Sequence, residues 1–338
     1  ANDNFITNSN FGLQYNPYTI PTGENLIGLD GKLNPKATLG RMYEYNGKKF
    51  YILPDNWKDA AYRHGFRQEY NVNISGGDSK ISYYSSIGYL KEKGVLENSG
   101  YERFTARLKA DYQATDWLHL LANASYVHAD RESNPNLSNT NSNASNLGYF
   151  TQYISPIYPI YVRTIDANGN PVIATDRFGH PQYDFGVPAT NFQGLNGRPF
   201  SQTGNPLGSN RYNKVNDILD QLQGQLNFDV TFTPWLKFNS TNSITLILSR
   251  FSHYENPFIG NAAATNGSID KYTDVSYRWN YVQTLNAHKV FGLHDVQLMV
   301  GHEWYKMNKN FLEALARGGF SPAIQEINAF ADRYNSYS

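Results

Sequence analysis

Residues 217–232 read Asp217-Ile-Leu-Asp-Gln-Leu-Gln-Gly-Gln-Leu-Asn-Phe-Asp-Val-Thr-Phe232. Within them Leu222, Gly224, Leu226, Phe228, Val230 and Phe232 alternate with Gln223, Gln225, Asn227, Asp229 and Thr231. Successive side chains of extended backbone point to opposite sides, so one face is apolar and the other polar. The run is roughly three times the length of an ordinary strand of about 5–6 residues. A tilted strand crosses a bilayer in about 9–11 residues, so this one crosses and projects beyond it. Length and period together predict a strand of a membrane-spanning barrel.

The same grammar recurs at Gln68–Gly76, Lys80–Glu92, Tyr101–Ala114, Leu118–Asp130, Leu236–Tyr254, Thr273–Val290 and Asp295–Lys306, giving about eight expected strands. Tyr101–Ala114 sets Phe104, Ala106, Leu108, Ala110 and Tyr112 against Thr105, Arg107, Lys109, Asp111 and Gln113. The connections alternate in length. Gly76–Ser79, Thr115–Trp117, Thr233–Trp235 and Phe291–His294 are very short, whereas Lys93–Gly100, Arg131–Asn216 and Glu255–Tyr272 are long. Antiparallel order puts every short connection at one end, as in a barrel with tight periplasmic turns and long extracellular loops. Thr115-Asp-Trp-Leu118 and Thr233-Pro-Trp-Leu236 are near-copies, and each sets a Trp (Trp117, Trp235) at a membrane interface. A soluble sandwich shows the same alternation with its apolar face turned inward. That keeps a soluble or surface-attached all-β carbohydrate-binding module as the alternative. Strand length, loop asymmetry and the repeated Trp favour the barrel.

Composition agrees. Charged residues are 17% of the 338-residue chain, against about 25% in soluble domains. Aromatics reach 15%, as interfacial girdles require. With 29 basic and 29 acidic residues, nucleic acid and anionic surfaces are poor main partners. A stretch of about 20 apolar residues is lacking, which excludes helical spans. Cysteine is absent, which removes disulfide, thiolate-zinc and thiol chemistry. The chain starts at Ala1 without a signal peptide and ends in polar sequence, as a processed protein or a piece of a larger one does. Residues 1–67 are broken by Pro17, Pro21, Pro35 and Pro54 and are expected to form an extracellular loop. Residues 68–306 carry the barrel strands, with a long extracellular loop at 131–216, and 307–338 begin a further extracellular loop.

Asn56-Trp-Lys-Asp59, Gln68-Glu-Tyr-Asn-Val-Asn-Ile-Ser-Gly-Gly77, Gly88-Tyr89 and Gly94-Val95 go beyond general barrel grammar. So do Arg103-Phe104, Thr115-Asp-Trp-Leu118, Asn168-Gly-Asn-Pro-Val172, Gly197-Arg-Pro199 and Phe291-Gly-Leu-His294. Together they resemble the SusC/RagA family of TonB-dependent outer-membrane transporters of Bacteroidetes. The resemblance implies an all-β, antiparallel transmembrane barrel of about 22 strands around a plug, of which this chain is an early-to-middle slice. It further implies residence in the bacterial outer membrane and import of glycan oligomers or peptides. Implied partners are a SusD-like lipoprotein and the TonB–ExbB–ExbD complex, the latter engaged through a part outside this chain. Neither enzymatic activity nor a cofactor is implied.

Candidate residues follow. If the apolar face meets lipid, Arg107, Lys109, Asp111, Gln223, Gln225, Asn227 and Asp229 line the lumen. Tyr149, Phe150, Tyr153, Tyr158, Tyr161, Tyr183 and Phe185 crowd the longest loop, where flat rings suit sugar faces or peptide side chains and Arg198 adds directional hydrogen bonds. The bland reading is that these rings pack the loop against itself. His302-Glu303 lacks the second His of a zinc-protease helix, and Gly23–Gly28 lacks the Lys of a phosphate loop. Asp166-Ala-Asn-Gly-Asn170 begins like a calcium loop, but Arg177 stands where the closing Glu belongs, so an Asn-Gly turn explains it better. His119 and His288 fit lumen or rim positions better than metal sites.

Overall fold

A computed structural model describes residues 15–133, 146–176, 178–186, 193–195, 198, 204–259 and 261–337. The elements in chain order are β1 (Tyr18–Thr19), β2 (Thr38–Leu39), β3 (Arg41–Tyr45), β4 (Lys48–Ile52) and helix α1 (Trp57–Ala61). Then come β5 (Phe66–Gly77), β6 (Ile81–Lys93), β7 (Gly100–Thr115), β8 (Leu118–Ser133), α2 (Leu147–Tyr153), β9 (Arg163–Ile165), β10 (Pro171–Ile173) and α3 (Pro206–Tyr212). The chain continues with β11 (Lys214–Thr233), β12 (Leu236–Glu255), β13 (Ser268–Phe291), β14 (His294–Gly319) and β15 (Phe330–Tyr337).

Nine strands, β5 to β8 and β11 to β15, form one antiparallel sheet in sequence order. The pairing is continuous, so a single register carries each face across the whole wall. Leu108, Ala124, Gly224, Ile244 and Trp279 lie in one row of directly paired positions, and Lys109, Asn123, Gln225, Ser243 and Asn280 in the next. The first row belongs to the apolar face and the second to the polar face, as the period of two requires. The near-copied turns also share geometry. Each is preceded by a register shift, between Gln113 and Thr115 and between Thr231 and Thr233. Trp117 and Trp235 stand exposed at these turns.

Strand length climbs from 12 residues in β5 to 26 in β14. Far from the short turns the two faces exchange character. The apolar face becomes polar there: Asp220 accepts hydrogen bonds from Tyr126 and Arg250 and pairs with His128, each at 2.7 Å. The opposite face becomes apolar, through Val127, Ala129, Leu219, Ile247, Phe251, Tyr272 and Phe311.

The sheet holds all of the about eight strands expected and one more, β15. Two expectations need correction. Residues 307–338, expected to be loop, contain the last part of β14 and all of β15. Residues 307–319 lose the period of two, yet β13 offers paired backbone as far as Ser268, and the unfilled hydrogen bonds of that edge extend the partner. The described residues of 1–67 and 131–216, expected to be mostly loop, include short strands and helices that fold together.

That head is built from segments about 100 residues apart. β3, β4, β9 and β10 form one four-stranded sheet, joined through the Phe50–Thr164 pairing. Each helix opens on an asparagine: Asn56 accepts the amides of Lys58 and Asp59, Asn146 that of Tyr149, and Asn205 that of Gly208. Such caps satisfy otherwise orphaned amides, and each contributes about 1 kcal/mol. The helices turn Trp57, Leu147, Phe150 and Leu207 inward onto Tyr15, Ile52 and Ile160. Trp57 Nε1 donates to the Tyr158 carbonyl at 2.9 Å. The Asp55 carboxylate accepts Arg163 at 2.6 Å and the Ile160 amide at 2.8 Å. Asn210 Nδ2 donates to the Glu97 carbonyl at 2.6 Å, which ties the head to the β6–β7 loop.

Candidate functional site

The seven residues expected on the lumenal side share one face of the wall. Arg107 sits in a row with Ser125 and Gln223, Lys109 with Asn123 and Gln225, and Asp111 with Leu121 and Asn227. Asp229 lies opposite His119. His119 links two carboxylates, Nε2 standing 2.7 Å from Asp111 and Nδ1 3.0 Å from Asp229. Asn239 donates to Asp229 at 2.7 Å, and Asn286 donates to Asn239 at 2.9 Å. The result is a hydrogen-bonded belt across five strands near the short turns. His288 meets Asp295 at 2.8 Å at the same rim.

The aromatic cluster divides into two groups. Tyr149 and Tyr153 occupy the outer side of α2, one helical turn apart, with ring centroids 4.5 Å from each other and 61% of Tyr153 exposed. Tyr161 and Phe185 are half-buried. Phe150, Tyr158 and Tyr183 are buried in the head. Arg198 is wholly buried, with its guanidinium over the rings of Trp57 and Phe150 and hydrogen bonds to the carbonyls of Gly204 and Asp184. Direct ligand contact by Tyr158, Tyr183 and Arg198 is therefore corrected: all three side chains are buried in the head. The bland reading of the loop rings holds for these residues because a head without disulfides needs large apolar groups for its core.

Electrostatics in the head follow burial. Desolvation pushes the Asp184 carboxyl up and the Arg198 guanidinium down, and their proximity opposes both effects. Burial likewise raises the Tyr15 and Tyr183 phenols. Gly186 has φ of +84°, and a Cβ there would meet Arg198 Nε at 2.8 Å, so glycine gives both the turn and the room for the guanidinium. The Asp166 carboxylate accepts the amides of Asn168 and Asn170, at 2.9 and 2.8 Å, and closes a hairpin turn.

Sequence reading missed the aromatic row on the far part of the polar face. Phe251, Tyr272 and Phe311 come from three strands and meet only through register. The signal was present as the change of phase between the lower and upper halves of each strand.

Comparisons with known proteins fit this geometry. The TonB-dependent receptor SusC of Bacteroides thetaiotaomicron is 24% identical over 281 residues, covering 76% of this chain and 24% of SusC. A TonB-dependent receptor of Formosa agariphila is 36% identical over 61 residues, 18% of this chain and 6% of that protein. A chain of the RagAB peptide importer in its closed-closed state matches with a TM-score of 0.60 at 16% identity, covering 84% of this chain and 30% of that one. No family model matches. The chain thus spans about a quarter of SusC, by the 24% coverage. Its nine-stranded sheet has the fold of a β-barrel wall.

Proposed function

We propose, from the premise that this SusC/RagA-like chain resides in the outer membrane as part of a TonB-dependent receptor, that it walls the import path of a transporter for glycan oligomers or peptides. The observation that carries this reading is the register, shifted only at the two Trp turns, which over the half of the wall nearest those turns gathers amides and charges on one face and aliphatic groups on the other. In the outer membrane the apolar face meets acyl chains, with Trp117 and Trp235 at the inner-leaflet boundary. Arg107, Lys109, Asp111, Gln223, Gln225, Asn227 and Asp229 then face the aqueous lumen. The head stands at the extracellular mouth beneath a SusD-like lipoprotein, where Tyr149 and Tyr153 present ring faces to incoming solute. TonB–ExbB–ExbD supplies energy through a part of the receptor outside this chain. No bond is made or broken; solute is bound, enclosed and released inward.

Uptake is the test. Cells lacking the intact gene should lose import of one class of labelled oligosaccharide or peptide, and a tonB deletion should reproduce the loss. Undiminished import of every such solute would refute the reading.

A further inference from the structure

The far ends of β6, β7 and β8 border a hollow of about 260 Å3. Gly100 forms its floor, paired with Lys93 on one side and Glu132 on the other. The next row toward the short turns is Lys91, Glu102 and Asp130, and the row after that begins with Tyr89 and Phe104. Parity puts these side chains on the face that carries Leu108 and Ala124. On that face β6 contributes Lys91 and Lys93, and β8 contributes Asp130 and Glu132, so positive charge borders one side and negative charge the other. Arg63 joins the positive side. Its guanidinium donates to the carbonyls of Gly94 at 3.0 Å and Ser99 at 3.2 Å, over the β6–β7 loop.

The lower row is committed. Glu102 accepts Lys91 and Tyr89, each at 2.9 Å, and Asp130 accepts Asn216 at 2.7 Å. Lys93 and Glu132, which flank the glycine, make no ion pair or side-chain hydrogen bond among the described residues. Their backbones stand two strand spacings apart, about 10 Å, which leaves room between them for a group bearing both charges. The missing side chain keeps that room open: a Cβ on Gly100 would lie 3.9 Å from a Glu132 carboxylate oxygen. Height narrows the occupant. Below Tyr89 and Phe104 the same face continues with Ile87, Ala106 and Ala124. Outward aromatic rings above an aliphatic band mark the headgroup level of a membrane.

We propose that this hollow binds the phosphoethanolamine headgroup of a lipid, its phosphate toward Lys93 and Arg63 and its ammonium toward Glu132 and Asp130. An ethylene link joins phosphate and primary ammonium, so one small group answers both sides of the hollow with charge-assisted hydrogen bonds. A purely anionic headgroup would leave Glu132 and Asp130 unanswered and be repelled by them. A choline headgroup has no N–H to donate. A divalent cation would find Glu102 already neutralized by Lys91. Glycerophospholipids and decorated lipid A both carry phosphoethanolamine, and the test separates the two sources. The inference rests on the apolar face meeting lipid, and it concerns the membrane around the wall, apart from the imported solute.

The test uses the intact transporter, purified from outer membranes with its partner chains and stripped of lipid in detergent. Native mass spectrometry would follow lipid retention as phosphatidylethanolamine, phosphatidylcholine, phosphatidylglycerol, and lipid A with and without phosphoethanolamine are added in turn. Phosphatidylethanolamine or the decorated lipid A should be retained about tenfold better than the lipids lacking that group, and whichever is retained identifies the source. Lys93→Gln and Glu132→Gln should each abolish the preference. Gly100→Leu, which fills the floor and leaves every charge in place, should do the same. Lys80→Gln, at the short-turn end, should leave retention unchanged. Heat-modifiable gel mobility establishes that each barrel has formed; if one variant fails to form, the other two carry the comparison. Equal retention of phosphatidylglycerol or phosphatidylcholine, or a preference untouched by these changes, would overturn the site. The lipid-facing assignment is tested separately, by collision of a spin label at Leu226 with oxygen, and survives such a result.

Discussion

A guanidinium nitrogen of Arg198 lies 3.7 Å from a carboxylate oxygen of Asp184, and neither side chain reaches solvent. Tyr15 closes the same knot, donating to Asp184 at 3.2 Å and to the Gly186 carbonyl at 2.9 Å. Tyr15 thus shares one polar center inside an apolar core with Asp184, 169 residues away, and with Arg198, only 14 residues beyond that. Removing either charge leaves the other buried, at a cost of about 3–5 kcal/mol. Arg198→Leu or Asp184→Leu alone should accordingly open the head, read as lost amide-exchange protection around α1 and α2. The double variant should cost less than the sum of the two. A single-variant cost below about 0.5 kcal/mol, ordinary for a surface position, would contradict this.

Leu226 and Asn227 are neighbors on opposite faces of β11. Leu226→Arg places a charge against lipid and should destabilize the wall by about 2–4 kcal/mol if the site lies near the bilayer center. Asn227→Arg should be nearly neutral. Urea unfolding in lipid vesicles measures both, and spin labels at Leu226 and Phe228 should collide with oxygen while labels at Gln225 and Asn227 collide with a water-soluble nickel complex. Equal penalties at the two sites would refute the assignment of faces.

Phe150 is fully buried, with its ring 4.7 Å from that of Trp57. Phe150→Ala should cost about 3–5 kcal/mol in the head. Because β11 to β14 are held by their own ladders, their exchange protection should stay unchanged. Loss of protection throughout the wall would show that head and wall unfold together.

The β5–β6 turn predicts a pH dependence. Asp78 accepts the amides of Lys80 and Ile81 at 2.7 and 3.0 Å, and these bonds hold its carboxyl below the usual carboxylate range. A depressed folded pKa adds stability above the unfolded value of about 3.9, lost as pH falls through the folded one. Asp78→Ala should therefore matter at neutral pH and become silent in strong acid. An NMR titration placing Asp78 at or above the value of an unstructured peptide would contradict the capped turn.

The strands were legible because the period of two is a local signal. Leu236–Tyr254 was expected where Leu236–Glu255 is found. The period of two does not carry β14 past Lys306, because Phe311-Leu-Glu-Ala-Leu-Ala316 lacks alternation and is rich in helix formers, so only pairing with β13 makes it a strand. The head was opaque for a related reason. Trp57 and Tyr158 are 101 residues apart, and no window of sequence contains both. The asparagine caps at Asn56, Asn146 and Asn205 were the readable clue, and among so many loop asparagines they did not stand out. The lumenal candidates came out together because parity alone assigns them. Arg198 looked like a binding group because its burial depends on rings contributed by remote segments.

The exchange of polarity partway up the wall also sets its altitude. Were the wall to sink by a few residues, Asp220, His128 and Arg250 would enter hydrocarbon; were it to rise, Leu226 and Phe228 would stand in water. Both displacements raise the free energy, so the sheet floats at one level, like a hull ballasted to its waterline. Vertical position thus becomes a property written into side-chain order.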